Sequence, residues 1–116
     1  MHSATPRKRV EAEYASAAAP SAAIVLATCA SAAARGEIIA LENLVNGADP
    51  PAIISMSYNT CEALAGASLY STYQTAVAAG TSIYVSAGDD GSANCSADGT
   101  LAATGIGING YASTPL

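Results

Sequence analysis

The stretch Ser82-Ile83-Tyr84-Val85-Ser86-Ala87-Gly88-Asp89-Asp90-Gly91 decides how the chain is read. Ser82 to Ser86 has the β-branched and aromatic character of a strand, and it runs straight into Gly-Asp-Asp-Gly. In an open α/β sheet, a strand that stops at a glycine delivers the next polar group at its carboxyl end, where ligands bind. Asp89 is the group so delivered. Gly88 lets the backbone turn ahead of it without a Cβ clash, and Gly91 opens the loop behind it. The competing reading is that Asp89 only caps its own turn through its side chain, which aspartate does readily.

Upstream, two more runs have the same character. Ala22–Thr28 is continuously apolar with no polar alternation, the pattern of a strand buried on both faces, and Ala52–Tyr58 reads as a second buried strand. Between these runs lie helical patterns. Glu37–Asn46 places Ile38, Leu41, Leu44 and Val45 at helical spacing and closes at Gly47. A second helix spans about 63–79, with Leu64, Ala67, Tyr70 and Ala78 on one face, and ends at Gly80. An alanine-rich helix from Val10 to Ala19 is stopped by Pro20. Residues 1–9 read as a disordered N-terminus. The glycine-punctuated Gly105–Gly110 leaves room for a short strand. The alternation of helix and strand predicts an α/β fold with a parallel sheet, strands at about 23–28, 52–57 and 82–86 lying adjacent, and right-handed helical crossovers. Three strands leave bare edges, so the chain reads as part of a larger α/β domain.

Composition narrows the function classes. The 116 residues suffice for one modest domain. Half are apolar, but alanine dominates, Trp and Phe are absent, and six Tyr supply all the aromatic area. A net charge of -5, with Arg7-Lys8-Arg9 as the one basic run, argues against a nucleic-acid partner. No apolar run approaches the roughly 20 residues of a membrane span. Met1-His2-Ser3 leads into charges, not into the apolar segment of a secretory signal.

The sole histidine is His2, which speaks against a Ser-His-Asp or Cys-His site. No glycine-rich phosphate loop with a lysine is present, since Gly105-Ile106-Gly107 lacks the third glycine and the helix. The three cysteines, Cys29, Cys61 and Cys95, lie far apart without histidines nearby, unlike a zinc site, so no metal ligands are assigned. Cys61 and Cys95 each follow a strand by a few residues, which puts both at the carboxyl edge of a parallel sheet. A disulfide there would contribute roughly 3–4 kcal/mol and imply an oxidising, extracellular setting. Cys29 is the odd one and reads as a small buried hydrophobe. What remains for chemistry is carboxylates, Glu11 and Glu13 near the first helix and Asp89 and Asp90 after the last strand. Taken singly, each is a solvated surface acid.

Taken together, several segments resemble the sedolisin family, serine-carboxyl peptidases with a subtilisin-like fold. They are Glu11-Ala12-Glu13-Tyr14 with Ala19-Pro20, Ile54-Ser55-Met56-Ser57-Tyr58 with Cys61-Glu62, Gly80 through Asp89, and Gly107 through Pro115. The resemblance spans about residues 10–116. It implies a Ser nucleophile, a Glu general base, an Asp that orients the base, and a further Asp in the oxyanion hole. A glutamate serves as base in acid, where an imidazole would already be protonated. A protonated carboxyl can donate to an oxyanion that a carboxylate would repel. By this resemblance Asp89 corresponds to the oxyanion Asp, and Glu11 falls where the orienting Asp stands. Ser57 and Tyr58 correspond to the strand lining the substrate cleft, although Asn59 stands where a glycine is usual. The base position, one helical turn before Glu11, is occupied by Arg7. The nucleophile's Gly-Thr-Ser segment and the family's calcium site would both lie beyond Leu116.

The expectation is therefore a partial sedolisin-like peptidase domain, subtilisin-like in fold, from a secreted acid peptidase acting on peptide or protein substrates. The isolated chain is expected to be inactive and to hold no cofactor itself. Two other classes stay open: a non-catalytic α/β binding or scaffold module, and a flavodoxin-like fragment whose acid-rich loop after Gly88 binds a cation.

Overall fold

A computed structural model describes residues 6–29, 35–62, 65–89, 91–93 and 106–116. The elements in chain order are α1 (Pro6–Ala18), α2 (Gly36–Val45), β1 (Ile53–Met56), α3 (Ala67–Ala78) and β2 (Ser82–Val85). The mixed α/β character expected from the sequence is present, with a two-stranded sheet among the described residues. β1 and β2 run parallel, Ile53 opposite Ser82 and Met56 opposite Val85, with α3 in the connection between them.

The local chemistry explains where α3 stops and β2 starts. Leu69, Thr72, Tyr73 and Ala76 are buried at helical spacing, so one face of α3 meets the core. At its end the Gly80 N–H donates to the Val77 carbonyl at 3.0 Å and the Thr81 N–H to the Ala76 carbonyl at 2.9 Å. Those paired bonds, with Gly80 at φ 78°, form a Schellman cap that only a residue tolerant of the left-handed region closes without strain. The Thr81 hydroxyl then donates to the Pro51 carbonyl at 2.8 Å, and the Ser82 N–H to the Ala52 carbonyl at 2.9 Å. The helix cap thus feeds directly into the first rung of the ladder. α2 ends with Asn46, whose backbone N–H and side-chain amide both donate to the Glu42 carbonyl.

The core lies on one side of the sheet. Leu41 and Val45 of α2, Ile54 and Met56 of β1, Leu69, Tyr73 and Ala76 of α3, and Tyr111 form one buried cluster, with Ile83 and Val85 packed against it. Burial alternates along β1, and the opposite face exposes Ile53, Ser55, Ser82 and Tyr84. The expectation of strands buried on both faces is thereby corrected: in the described residues the helices cover one face only, so the period-two pattern of a half-buried sheet applies.

Two further expectations are corrected. The predicted strand at 23–28 has no regular structure, and its Ile24, Val25 and Leu26 are 42%, 75% and 46% exposed. An apolar run becomes a strand only where neighbouring backbone accepts its hydrogen bonds, and no described strand lies beside this one. The predicted disorder over 1–9 is overturned for residues 6–9, which open α1. Pro6 suits the first helical position, and the Arg, Lys, Ala and Glu residues that follow are strong helix formers. α1 makes no contact with another helix or strand among the described residues.

Gly110 is the tightest point in the packing. A Cβ built there would lie 2.9 Å from the Ala65 Cβ, the Cys61 carbonyl oxygen and the Glu62 Cα. Two of those atoms belong to backbone and cannot swing away. Gly110→Ala should therefore destabilise by about 1–3 kcal/mol in denaturant unfolding. Gly66→Ala, where the nearest atom is the Ser68 Oγ at 3.9 Å, should cost less than about 1 kcal/mol. Equal costs at the two positions would contradict the packing described.

Candidate functional site

The carboxyl ends of β1 and β2 form one edge of the sheet. Because Met56 stands opposite Val85, the chains leave side by side as Ser57-Tyr58 and Ser86-Ala87. The Ser86 N–H donates to the Met56 carbonyl at 3.0 Å, the last backbone rung between the strands. Beyond that rung the ladder is completed by a side chain. Asn109, 2% exposed, donates from Nδ2 to the Tyr58 carbonyl at 2.8 Å and to the Ser86 carbonyl at 2.7 Å. Its Oδ1 accepts from the Thr60 N–H at 3.2 Å and the Tyr111 N–H at 3.1 Å. Both donors and both acceptor sites of the amide are filled. The neighbouring backbone adds an antiparallel bridge between Asn109 and Cys61, and the Gly110 N–H donates to the Thr60 carbonyl at 2.8 Å.

This clasp sets where Asp89 stands. Gly88, at φ 103°, turns the chain after β2, and Asp89 follows as an exposed residue on the same edge as Ser57, which is half-buried, and Tyr58, which is exposed. Gly91, at φ 60°, opens the loop, and the Gly107 N–H then ties it back to the Ser92 carbonyl at 2.8 Å. Of the sequence-assigned site residues, Asp89, Ser57 and Tyr58 share this edge. Glu11 does not: it is exposed on α1, which touches no other described element. Arg7 precedes it on α1 by one helical turn.

Cys61 is buried beside Asn109 and is disulfide-bonded, while Cys29 is a half-buried free thiol. Cys95, assigned from sequence as the partner of Cys61, lies outside the described residues, as does Asp90. Among the described residues no three His, Cys, Asp or Glu side chains gather as a metal ion requires. No helix among them is long and apolar enough to cross a membrane.

Behind the edge lies a tyrosine relay. The Tyr73 hydroxyl donates to the Tyr111 carbonyl at 2.7 Å, and the Tyr111 hydroxyl to Glu37 Oε1 at 2.7 Å. Burial, reinforced by the mutual effect of Tyr111, pushes the Tyr73 hydroxyl from the usual 10 up to about 12. Burial and the hydrogen bond to Glu37 raise Tyr111 as well. Sequence reasoning used Gly107–Pro115 for the family resemblance but gave Asn109, Tyr111 and Glu37 no role. The one available signal was a lone amide between Ile108 and Gly110.

The Gly80-Thr81-Ser82 triplet spells the letters of a nucleophile segment but stands at the amino end of β2, the opposite end from Asp89. Its threonine hydroxyl is committed to Pro51. No family model, no curated protein and no solved structure matches this chain.

Asn109→Asp keeps the shape of the side chain, removes both donors and aims a carboxyl oxygen at two carbonyls. We expect a loss of roughly 1–3 kcal/mol in unfolding free energy, since two part-buried acceptors lose their partners. A loss below about 0.5 kcal/mol would show that the clasp is dispensable. A second outcome follows from the tyrosines. Their hydroxyls ionise later folded than unfolded, so their stabilising contribution is complete below pH 10 and is lost as the pH rises from 10 toward about 12. Urea midpoints followed across that range should fall, and the fall should be shallower in Tyr73→Phe.

Proposed function

We propose that this chain is a segment of a serine-carboxyl peptidase of the sedolisin kind, cutting peptide bonds in acid, and that alone it is not catalytic. The observation that carries the proposal is the edge where β1 and β2 both end. There Asp89, released by the Gly88 turn, stands on the same side of the sheet as Ser57 and Tyr58. A sheet edge that offers a strand end beside an acid suits an extended peptide whose carbonyl must be polarised.

In this proposal Asp89, protonated in acid, donates to the oxyanion, and Ser57 and Tyr58 line the substrate strand. Glu11 takes the orienting carboxylate's part. A disulfide at Cys61, with Cys95 as the partner expected from the sequence, suits a secreted protein with peptide or protein substrates. Calcium belongs to the complete family domain and not to the residues of this chain. Two features support inactivity of the chain by itself: Arg7 stands in the base position, and its Gly80-Thr81-Ser82 triplet faces the wrong end of the sheet.

The second reading, a non-catalytic binding or scaffold module, is favoured by one observation. The α1 helix bearing Glu11 contacts no other described element, so no pair of acids is assembled. A chimera separates the two. Residues 52–93 are exchanged into an active sedolisin-type peptidase, and Asp89→Ala and Asp89→Asn are compared with the parent chimera. Loss of an oxyanion donor should lower kcat by roughly 10²–10³ in the alanine variant. The asparagine variant, which keeps an amide donor, should retain more. Full activity in both variants would leave Asp89 a turn residue and favour the module. The purified chain itself should turn over no peptide at acid pH.

A further inference from the structure

Two asparagines of this chain precede a glycine, Asn46 before Gly47 and Asn109 before Gly110. That pairing has a chemistry of its own. The backbone nitrogen of the glycine attacks Cγ of the asparagine side chain, and a cyclic succinimide closes as the Cγ–Nδ2 bond breaks. The proton of the attacking nitrogen leaves with the Nδ2 group as ammonia. Water then opens the ring at either carbonyl, giving aspartate or isoaspartate, the latter carrying the main chain through the side-chain carbon. Glycine favours the attack because no Cβ shields its nitrogen. The structure treats the two pairs differently. Asn46 follows α2 as an exposed residue, its Nδ2 bonded to the Glu42 carbonyl at 2.8 Å. Asn109 is 2% exposed, and its amide makes all four bonds of the clasp. Closing the ring there would pull Nδ2 away from the Tyr58 and Ser86 carbonyls. It would also strip the Gly110 nitrogen of the proton it donates to the Thr60 carbonyl at 2.8 Å.

We propose that Asn109–Gly110 is a deamidation site that the closed clasp protects, and that opening of the clasp exposes it to a one-way conversion. Neither product fits back. Aspartate aims a carboxyl oxygen at the Tyr58 and Ser86 carbonyls, where Nδ2 had donated. Isoaspartate adds a carbon to the main chain at the tightest point of the packing. A Cβ on Gly110 would already lie 2.9 Å from the Cys61 carbonyl oxygen and the Glu62 Cα, and both of those atoms belong to backbone. A chain that has reacted once therefore does not rebuild the end of its sheet. The frequency of clasp opening limits how long a molecule keeps its folded edge, and water is the sole co-reactant. This inference rests on the clasp alone and stands apart from the peptidase proposal.

The test needs no variant. The purified chain is held in mildly alkaline buffer, once folded and once in guanidinium chloride, and the peptides carrying Asn46 and Asn109 are followed by mass spectrometry. In denaturant the two sites should convert at like rates, which makes Asn46 the clock within the same chain. In the folded chain Asn109 should convert at least about tenfold more slowly than it does in denaturant, because only the open fraction reacts. Partly converted chains are then returned from denaturant to buffer, and the folded fraction is isolated by size exclusion. That fraction should carry the Asn46 product in full and be depleted of the Asn109 product. Conversion of Asn109 as fast in the folded chain as in denaturant would overturn the proposal. It would show the Thr60 and Tyr111 N–H groups on Oδ1 assisting the attack as an oxyanion hole does. Recovery of the Asn109 product in the folded fraction at its full level would overturn the one-way character of the site.

Discussion

One amide side chain closes the sheet of this protein. A two-stranded parallel pair is short of backbone partners where it ends, and isolated strand pairs are marginal in water. Here the Tyr58 and Ser86 carbonyls, which follow β1 and β2, receive no backbone N–H among the described residues. Asn109 answers both with its Nδ2 and uses its Oδ1 to hold Thr60 and Tyr111. Among the described residues no buried side-chain polar atom is left without a partner. The consequence is local rigidity at the edge from which Ser57 and Asp89 emerge. Any chemistry done there inherits its geometry from a residue that takes no part in it.

The clasp works because tyrosines fix the segment that carries it. An alanine-rich core with no Phe or Trp must take its bulk from Tyr, and Tyr brings a hydroxyl that costs free energy when buried without a partner. Tyr111, only 1% exposed, supplies bulk to the core, while its hydroxyl reaches Glu37 at the start of α2 and its carbonyl receives Tyr73 of α3. The same residue therefore ties both helices to the segment that closes the strands. The poverty of the core in large side chains and its dependence on polar ties are one fact seen twice.

What the sequence made legible follows from the range of the interactions involved. The positions of β1, α2, α3 and β2 were each readable to within a few residues, because apolar runs and a glycine such as Gly80 at a helix end are local signals. The buried face of α3 was not: Ala67, Tyr70 and Ala78, expected on it, are exposed, and Leu69, Thr72, Tyr73 and Ala76 are buried instead. Asp89 was readable for the same reason, since a strand, a glycine and an acid stand in a row. Ile24-Val25-Leu26 misled, because whether an apolar run is a strand depends on a partner strand that its own residues do not encode. The N-terminal boundary missed by a few residues, where Pro6 was taken for disorder and starts a helix instead. Asn109 was invisible because its four bonds reach Tyr58, Thr60 and Ser86, residues 23 to 51 positions away, and its neighbour Tyr111. A lone amide in a glycine-rich segment looks the same whether it is buried at a strand end or solvated in a turn.

The residues gathered at the carboxyl edge and the backbone groups that face outward both follow from the number of strands described. A parallel sheet gathers functional groups by lining up the carboxyl ends of its strands, so the number of groups it assembles is limited by the number of strands. Among the described residues the two strands put Ser57, Tyr58 and Asp89 at one edge, whereas Glu11 sits on α1, which contacts no described strand or helix. Among the described residues the same two strands leave Ile53 and Ser55 facing outward along one side of the sheet and Ile83 and Val85 along the other. Each added strand would recruit a further loop to the carboxyl edge and cover a row of backbone groups in the same step. Tyr84, 62% exposed at the middle of β2, lies on the face of the sheet that no described helix covers.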